Sequence, residues 1–590
     1  MLHALVEYAE RQLPDSEPGF KTRDVRWYIE LAGDGRFLNV VPLGDGKRGR
    51  DQSRCPDMHG MNAGGKSHFL VETAQTIALL FKVNEDQKKV GAIKEKHKYF
   101  SELMRNASAT IPLLVPLSRL LGDKSQLDKI RDTLGEHKAK PTDWVGWRID
   151  GNDPREVEAV QAWWREWRRN NLANETSNRK GTKEESSTAM LCLLTGENVS
   201  PLPTHPKITG LSGVGGLGTG DVMVGFDKAA FGSYGLNQSA NAAMGAEAAQ
   251  KYVDGLNDLI RNHSRKLGNA LVAHWFKNRV AIENDPLEFV YELGSEEQSE
   301  AAALGNARRL LDSIHSGERA DLSQNRYYAL TLSGASGRVM VRDWMEGDFE
   351  ELVRNVTAWF SDLAIVFRYG GRLASDQKFM AVCSALVREL KDLPAPTAAT
   401  LWRCAVQCLP IPQPLMAQAL ARFRADLVDK DQPPISHARM GIIKAYFVRL
   451  KPGGDSAMAA YLNPEHPAPA YHCGRLLAVL ADLQRAALRD VGAGVVQRYY
   501  AAASQTPGLI LGRLVANARN HLSKLEGGLA HWYVNQIADI VSRLKDSVPR
   551  ILDLEGQGLF ALGYYQQLAA LRAGNKHSTN EPTTEQEKIK

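Results

Sequence analysis

The eight residues from Gly60 to Ser67, GMNAGGKS, match the phosphate-binding pattern G-x-x-x-x-G-K-[ST]. In nucleotide-hydrolysing enzymes a buried strand leads into this loop and a helix leaves it, so that backbone amides surround the phosphates. A helix is expected from His68, but residues 51–59 are polar and broken by Pro56, and no strand ending in a Mg²⁺-binding acid follows. A P-loop nucleotide-hydrolysing enzyme is therefore the alternative interpretation, not the first.

The same loop carries groups that bind phosphate oxygens or base edges. It is basic and rich in glycine from Gly46 to His68, and it ends where a helix is expected to begin. Such a loop favours phosphate groups of any kind, including a nucleic-acid backbone, although a solvated surface loop has the same composition. The DNA-binding candidates in it are Arg48, Arg50, Asn62, Gly64, Gly65, Lys66 and Ser67.

A second candidate stretch runs from Gly210 to Gly245 and holds ten of the 50 glycines of the chain. Glycine at this density indicates backbone with positive φ, or backbone that another group approaches closely. Residues 221–226, DVMVGF, are predicted to form a strand. The neutral amides of Asn237, Gln238 and Asn241 could hydrogen-bond to base edges, and a glycine-rich hairpin without a ligand is the alternative.

Two further groups of side chains are basic and could contact nucleic acid. A predicted helix over 157–169 carries Trp163, Trp164 and Trp167 beside Arg165, Arg168 and Arg169. Docking through the tryptophans, with the arginines in water, is favoured over base stacking. Along the C-terminal helices, arginines recur among apolar faces and could form a basic stripe, or the helices could form a plain bundle. These candidates are Arg475, Arg489, Arg498, Arg513, Arg519 and Arg543.

Patterns typical of catalysis are missing from the sequence. Cys404 and Cys408 lack the second pair that a zinc site of this type requires. No nucleophile elbow, H-E-x-x-H motif or paired-carboxylate spacing occurs. We therefore expect no catalytic residue, no metal and no cofactor.

The elements that would position these groups change in character along the chain. Strand-like runs at 25–31 and 36–43 flank a Gly-Asp-Gly turn, residues 144–149 suggest another strand, and 326–344 suggest a second hairpin. Beyond about Phe349, helical periodicity replaces the strand patterns. The predicted fold class is α+β, with a mixed α/β N-terminal region with β-hairpins followed by an all-α C-terminal helical bundle.

The same patterns predict four parts. Residues 1–348 form the α/β region with a flexible insertion at about 170–188, 349–457 connect by helices, and 458–572 form a C-terminal bundle. Residues 573–590 are predicted to be a disordered tail.

The composition narrows the class of protein. The 590 residues are 43% hydrophobic, enough for large cores, and the net charge of +5 permits nucleic-acid contact without requiring it. Six cysteines do not make a disulfide framework and indicate a reducing compartment. The N-terminal sequence suggests an amphipathic helix with early acids, and no apolar run approaches the ~20 residues of a membrane span. We expect a soluble, cytoplasmic protein without membrane contact.

Several stretches together resemble one family across the whole chain, in order. They are LVEYAERQ, VRWYIELAGDGRFLNVVPL, HFLVETAQ, LCLLTGENVSPLPTHPKITG, FGSYGLNQSANA and NRYYALTLSGASGRVMVRDW. The chain is similar to the large subunit of the type I-C CRISPR surveillance complex, Cascade.

The resemblance implies a non-enzymatic subunit of an RNA-guided antiviral complex. Such a subunit binds the protospacer-adjacent motif (PAM) in double-stranded DNA, promotes R-loop formation, supports the displaced strand and recruits a separate helicase-nuclease. The implied partners are the crRNA-containing Cascade, with its backbone, crRNA-end and small subunits, and target DNA.

The resemblance also implies that the C-terminal helical part is produced alone as a small subunit by internal translation. Met458 follows Gly453-Gly454, whose codons can contain a ribosome-binding sequence. A second product from Met458 to Lys590 is therefore predicted, with Met440 as the next candidate start and an ordinary Gly-Gly turn as the alternative.

Overall fold

The computed structural model describes residues 1–13, 17–43, 51–58, 65–82, 84–178, 189–291, 303–429, 434–450, 458–488, 494–544 and 548–574. The chain divides into two compact units. Unit 1 comprises Met1–Asn262 with Gly334–Met340, and unit 2 comprises His263–Ser333 with Val341–Lys590.

Unit 1 is built around the long strand β1 (Phe20–Leu31). Its buried apolar residues alternate with more exposed ones near its start and become continuous near its end, as expected for a central strand. It pairs with β2 (Phe37–Pro42) and β3 (Asp51–Pro56) antiparallel, and with β5 (Trp144–Ile149) parallel. The short β4 (Glu72–Thr73) completes the order β2-β1-β5-β4, with β3 beside the first half of β1. The predicted hairpin and the predicted strand at 144–149 are confirmed.

Helices cover this sheet and form one core with it. Fully buried Phe69, Phe100, Trp147 and Trp164 belong to that core. The helices of unit 1 are α1 (Leu2–Gln12), α2 (Ala74–Ile77), α3 (Gln87–Ser108), α4 (Val115–Gly122), α5 (Lys124–Glu136), α6 (Glu158–Asn178) and α7 (Ala246–Asn262). A small ladder pairs β6 (Met190–Leu191) with β7 (Asn198–Val199).

Two elements of unit 1 differ from the prediction. The expected helix from His68 forms only at α2, because β4 pairs with β5 and because Leu70 and Leu79 have φ of 61° and 54°, outside the right-handed helical region. The expected strand over 221–226 is reduced to single bridges, Ile208 with Asp221 and Val222 with Arg338.

The predicted flexible insertion is only partly within the described residues. Helix α6 extends to Asn178, so residues 170–178 are helical and not a loop, while 179–188 lie outside the described residues. The predicted tail likewise begins inside a helix that ends at Gly574, and residues 575–590 lie outside the described residues.

Unit 2 combines one sheet with a large set of helices. The sheet has the order β11-β10-β9-β8, from β8 (Ser264–Leu267), β9 (Ala270–Phe276), β10 (Arg326–Ala335) and β11 (Arg338–Asp348), which confirms the second hairpin. Its first helices are α8 (Pro286–Tyr291), α9 (Ala303–His315), α10 (Ala320–Ser323), α11 (Phe349–Leu363), α12 (Phe379–Leu386), α13 (Ala395–Gln407), α14 (Gln413–Val428) and α15 (His437–Arg449).

The C-terminal helices are α16 (Pro469–Leu488), α17 (Val495–Ala503), α18 (Pro507–Leu522), α19 (Gly527–Arg543) and α20 (Leu554–Gly574). Helices α16 and α20 cross very closely. A Cβ added to Gly474 would lie 2.0 Å from the carbonyl oxygen of Phe560, and one added to Gly563 would lie 2.0 Å from that of Tyr471. Glycine at both positions is therefore what permits the backbones to approach this far.

One continuous apolar core extends in unit 2 from Leu267 to Leu571. The predicted divisions at 349 and 458 both fall inside this core. They mark a change from strands to helices and a connection between helices, not a gap between separate cores. The fold class is as predicted, with a mixed N-terminal region and an all-helical C-terminal region. Among the described residues, every helix is too short or too polar to cross a membrane.

Candidate nucleic-acid interface

The first predicted loop is described only at its end. Arg48, Arg50, Asn62 and Gly64 lie outside the described residues, whereas Gly65, Lys66 and Ser67 lie within them. Gly65 has φ of 82°, and Lys66 is partly exposed. Ser67 is completely buried, and its Oγ has no hydrogen-bond partner in the described structure. In this conformation Ser67 is therefore not accessible for its predicted contact with DNA.

The geometry around this loop differs from that of a phosphate-binding P-loop. The sequence predicted no strand before the loop, which is wrong because β3 precedes it. However, β3 runs antiparallel to β1, and within 65–82 no helix begins until Ala74. A P-loop needs a helix N-terminus directly after the Lys-Ser pair, so that its amides face the phosphates. The described part of the loop does not provide this arrangement.

A buried polar network holds the segment after the loop in place. The amide of Met58 donates to His68 Nδ1 at 3.1 Å, and Arg23 forms an ion pair with Asp57 and stacks 3.8 Å above the ring of Trp144. Burial, with the nearby Arg23 charge, lowers the pKa of His68. The buried Glu72 accepts the amide of His68 at 3.1 Å. These contacts fix where the loop leaves the sheet.

The tryptophan and arginine side chains of α6 separate into two environments. Trp164 is buried and stacks on Phe69 and Trp167, with ring centroids 5.3 and 5.2 Å apart, so the tryptophans dock the helix as predicted. Arg165 pairs with Glu17 at 2.7 Å. Arg168 is only 8% exposed, which contradicts the prediction that these arginines lie in water.

In the second predicted stretch, the glycines permit contact with the chain's own backbone. A Cβ on Gly334, near the end of β10, would lie 2.2 Å from Gly216 Cα, and one on Gly215 would lie 2.7 Å from the Gly334 carbonyl oxygen. The amide of Val222 donates to the carbonyl of Gly337 at 2.8 Å. This close packing within unit 1 explains much of the glycine content without a ligand.

The three predicted amides of this stretch have different surroundings. Asn241 accepts the amide of Ser233 at 2.9 Å and donates to the carbonyls of Leu236 and Gln238 at 3.0 and 2.9 Å. Its hydrogen-bonding groups therefore hold the loop together, and its predicted role as a DNA contact is not supported by its geometry. Asn237 and Gln238 are exposed.

The surface that these two amides share also carries an aromatic side chain that the prediction missed. We call residues 225–241 the Tyr234 loop. Tyr234 is 98% exposed and has φ of 51°, and Gln238 has φ of 49°. On the same loop Lys228 is exposed, and Asp227 pairs with Arg338 at 2.7 Å. The neighbouring sequence Gly-Ser-Tyr-Gly was the available signal, since small residues on either side leave an aromatic ring uncovered.

The C-terminal arginines do not form one surface. Arg475 is 3% exposed and donates to Gln567 at 2.9 Å, so in this conformation it is not accessible for its predicted contact with DNA. Arg543 pairs with Glu465, and Arg489 lies outside the described residues. Arg498, Arg513 and Arg519 are exposed. Arg513 and Arg519 are six residues apart on α18 and thus point to different sides of it. A single basic stripe is not present among the described arginines.

One further cluster contains groups that can bind metal. His274, Asp285 and Glu288 place ligand atoms within 4.8 Å of one another. Each is already engaged: His274 Nε2 lies 2.7 Å from Asp285, Asp285 accepts the amide of Leu287 at 2.9 Å, and Glu288 pairs with Arg265 at 3.0 Å. A hydrogen-bonded His-Asp pair near the start of α8 accounts for this geometry.

Comparison with known proteins adds one strong match. The family model described as CRISPR-associated protein (Cas_Csd1) matches residues 5–572, nearly the entire chain. A search of curated proteins gives no match.

Proposed function

The chain belongs to the Cas_Csd1 family of CRISPR-associated proteins, and we propose that it is the large subunit of a type I-C Cascade, which recognises the PAM in double-stranded DNA. In RNA-guided complexes the guide RNA pairs with most of the target, and protein side chains contact only a short adjacent motif. The protein therefore needs a small surface for a duplex, without catalytic groups of its own.

The exposed Tyr234 loop is the observation that best supports this function. A tyrosine that is 98% exposed contributes little to folding, and its ring is free to stack on a nucleotide base. Asn237 and Gln238 offer donors and acceptors on the same loop, the type of group that reads base edges in a groove. Lys228 adds a cation for the phosphate backbone.

The first predicted loop remains a second candidate reader. Of its described residues, Lys66 is partly exposed and lies directly before the buried Ser67. Because His68, two residues later, accepts from the amide of Met58 and donates its own amide to Glu72, the position of Lys66 is tied to unit 1. In our proposal Lys66 contacts the duplex backbone, and the Tyr234 loop contacts bases.

The remaining parts of the proposal concern partners. The chain assembles with the crRNA and the backbone, crRNA-end and small subunits, promotes R-loop formation, and recruits the separate helicase-nuclease that cuts. Arg498, Arg513 and Arg519 are the exposed cations available to support the displaced strand. A small subunit from Met458 to Lys590 is made alongside the full chain by internal translation.

A binding experiment with the assembled complex tests the proposed function. Complexes containing wild-type chain, the Asn237→Ala and Gln238→Ala double variant, or Lys66→Ala are titrated with duplexes that share a guide-matched target and differ only in the adjacent motif. We expect the double variant to lose preference among motifs, and Lys66→Ala to weaken all duplexes similarly. Wild-type complex that binds every motif equally would exclude PAM recognition by this chain.

A matched control separates the loss of base contacts from a change in the structure of the loop. Asn241→Ala removes an amide that holds the loop together, so it should reduce motif preference only by altering loop structure. If the double variant and Asn241→Ala both leave the preference unchanged, the Tyr234 loop is not the reader.

A further inference from the structure

Cationic side chains surround the start of β1 in unit 1, on both faces of the strand. Lys21 and Arg23 are two positions apart on β1 and therefore lie on the same face of the strand. Arg54 comes from β3, and Arg165 and Arg168 come from α6. Two carboxylates lie among them: Glu17, just before the strand, and Asp57, just after β3.

The two carboxylates are already occupied by three of the five cations. Glu17 pairs with both Arg54 and Arg165, and these contacts lower its pKa despite the opposing effect of burial. Asp57 pairs with Arg23 and lies 3.6 Å from His68 Nδ1. Among the described residues, the side chains of Lys21 and Arg168 have no ion-pair or hydrogen-bond partner.

Arg168 is the more unusual of the two. It is only 8% exposed, and its buried Nε lacks a hydrogen-bond partner. Its side chain lies against Gly19: a Cβ there would be 2.5 Å from Arg168 Cδ, and Trp164 Nε1 donates to the Gly19 carbonyl at 2.7 Å. Within the described ranges, packing and not a counter-ion holds this guanidinium in place.

Lys21 has the same deficiency in a less buried position. Burial lowers the pKa of Lys21 and the Arg23 charge lowers it further, while the charges of Asp57 and Asp254 oppose this shift. Burial likewise lowers the pKa of Arg168. Arg168 packs against Gly19, and Lys21 follows Gly19 by two residues at the start of β1, so both cations lie near the same end of the strand. Holding two cations partly out of water, with no paired anion in the described part of the chain, is unfavourable, so the arrangement gains stability when an anion enters.

We propose that Arg168 and Lys21 form a binding site for a phosphate group. A guanidinium offers a planar pair of donors to phosphate oxygens, and an ammonium adds a point charge, which together suit a tetrahedral anion. The site rests on the proposed function only for the source of its phosphate, which we take to be the backbone of a nucleic-acid strand bound by unit 1. Free phosphate is the other source of the same chemistry.

Melting of the full-length chain in sodium phosphate and in sodium chloride of equal ionic strength tests the site directly. We expect phosphate to raise the melting temperature of wild type and of Arg169→Gln, and to have no such effect on Arg168→Gln or Lys21→Gln. Arg169 is the matched control, because it is the adjacent residue on α6, carries the same charge and is exposed. Lys21→Gln keeps the test informative if Arg168→Gln fails to fold.

Titration of a labelled duplex at several salt concentrations identifies the source of the phosphate. Loss of one backbone contact should reduce the slope of log K against log salt by about 0.9 in the Arg168→Gln variant and leave Arg169→Gln unchanged. An unchanged slope together with a lost phosphate effect on melting assigns the site to free phosphate. Wild type that fails to bind duplex refutes the proposed function, while the melting experiment still decides the site. A phosphate effect equal in all four proteins overturns the proposal.

Discussion

Replacing Tyr234 by alanine should weaken binding of target DNA without weakening the fold. The side chain is 98% exposed, so its removal uncovers no core, and surface changes of this kind alter stability by no more than about 0.5 kcal/mol. The positive φ of 51° is equally unfavourable for tyrosine and alanine. Any large effect of Tyr234→Ala therefore arises in the complex with DNA.

The size of the effect follows from the contact that we assign to the ring. Stacking of one base on an aromatic side chain contributes about 1–3 kcal/mol by alanine substitution. This corresponds to a rise in Kd of about 5- to 140-fold. Tyr234→Phe keeps the ring and loses only the hydroxyl, so its Kd should stay close to that of wild type.

The assay is equilibrium binding of the crRNA-loaded complex to a guide-matched duplex, with melting temperatures measured on the same preparations. Tyr461→Ala is the matched control, because this tyrosine is 46% exposed and lies in unit 2. A Kd for Tyr234→Ala within twofold of wild type would refute base stacking by this ring. An equal loss in Tyr461→Ala would show that the effect is not specific to the loop.

Three other predictions test packing, protonation and translation. Gly474→Ala should destabilise unit 2 by about 1–3 kcal/mol in urea unfolding, because its Cβ would lie 2.0 Å from a carbonyl oxygen. In the control Gly512→Ala, on α18, the added Cβ meets nothing within 4 Å and should stabilise the unit by up to about 1 kcal/mol. Equal effects of the two variants would contradict the close crossing. Burial lowers the pKa of His205 from 6.5 to about 4, so between these pH values the unfolded chain binds more protons than the folded chain. The neutral imidazole therefore contributes up to about 3 kcal/mol to the free energy of unfolding above pH 6.5, and this contribution is lost as the pH falls to about 4. Melting of His205→Gln should depend less on pH than that of wild type, and an identical pH profile would refute the buried neutral imidazole. Silent recoding of Gly453-Gly454, which lie outside the described residues, should abolish a product from Met458 on an immunoblot with a C-terminal tag, and an unchanged band or no band at all refutes this start.

Local sequence patterns were sufficient for elements whose stability is local. The Gly-Asp-Gly turn between two apolar runs predicted the β1–β2 hairpin, and Gly35 has φ of 94° as such a turn requires. The helix expected from His68 does not form over most of its predicted length, because its apolar residues pack in an irregular segment and a short strand. Leu70 and Val71 are buried in an irregular segment, and the next two residues pair with β5, more than 70 residues later in the chain. No periodicity within the segment contains that information.

Candidate site residues were harder to predict because pairing partners are distant in sequence. Arg475 looked like a solvated cation on an amphipathic helix, but Gln567, 92 positions away, binds it in the core. Arg168 follows the buried Val160 and Trp164 at intervals of four, which puts it on the buried face of α6, whereas the adjacent Arg169 is exposed. Tyr234 was inconspicuous, since exposure of an aromatic ring depends on what fails to cover it.

The crossing of α16 and α20 has a consequence for a product that begins at Met458. Both helices lie within such a product, so the fragment would retain the glycine-mediated contact. All residues of α20 from Phe560 to Ala569 are buried, however, and Gly558 faces Phe447 and Met416, which precede the start. The fragment would therefore carry an uncovered apolar strip where α14 and α15 pack in the full chain. A free small subunit would be a poorly soluble monomer, and its abundance in the cell should depend on assembly.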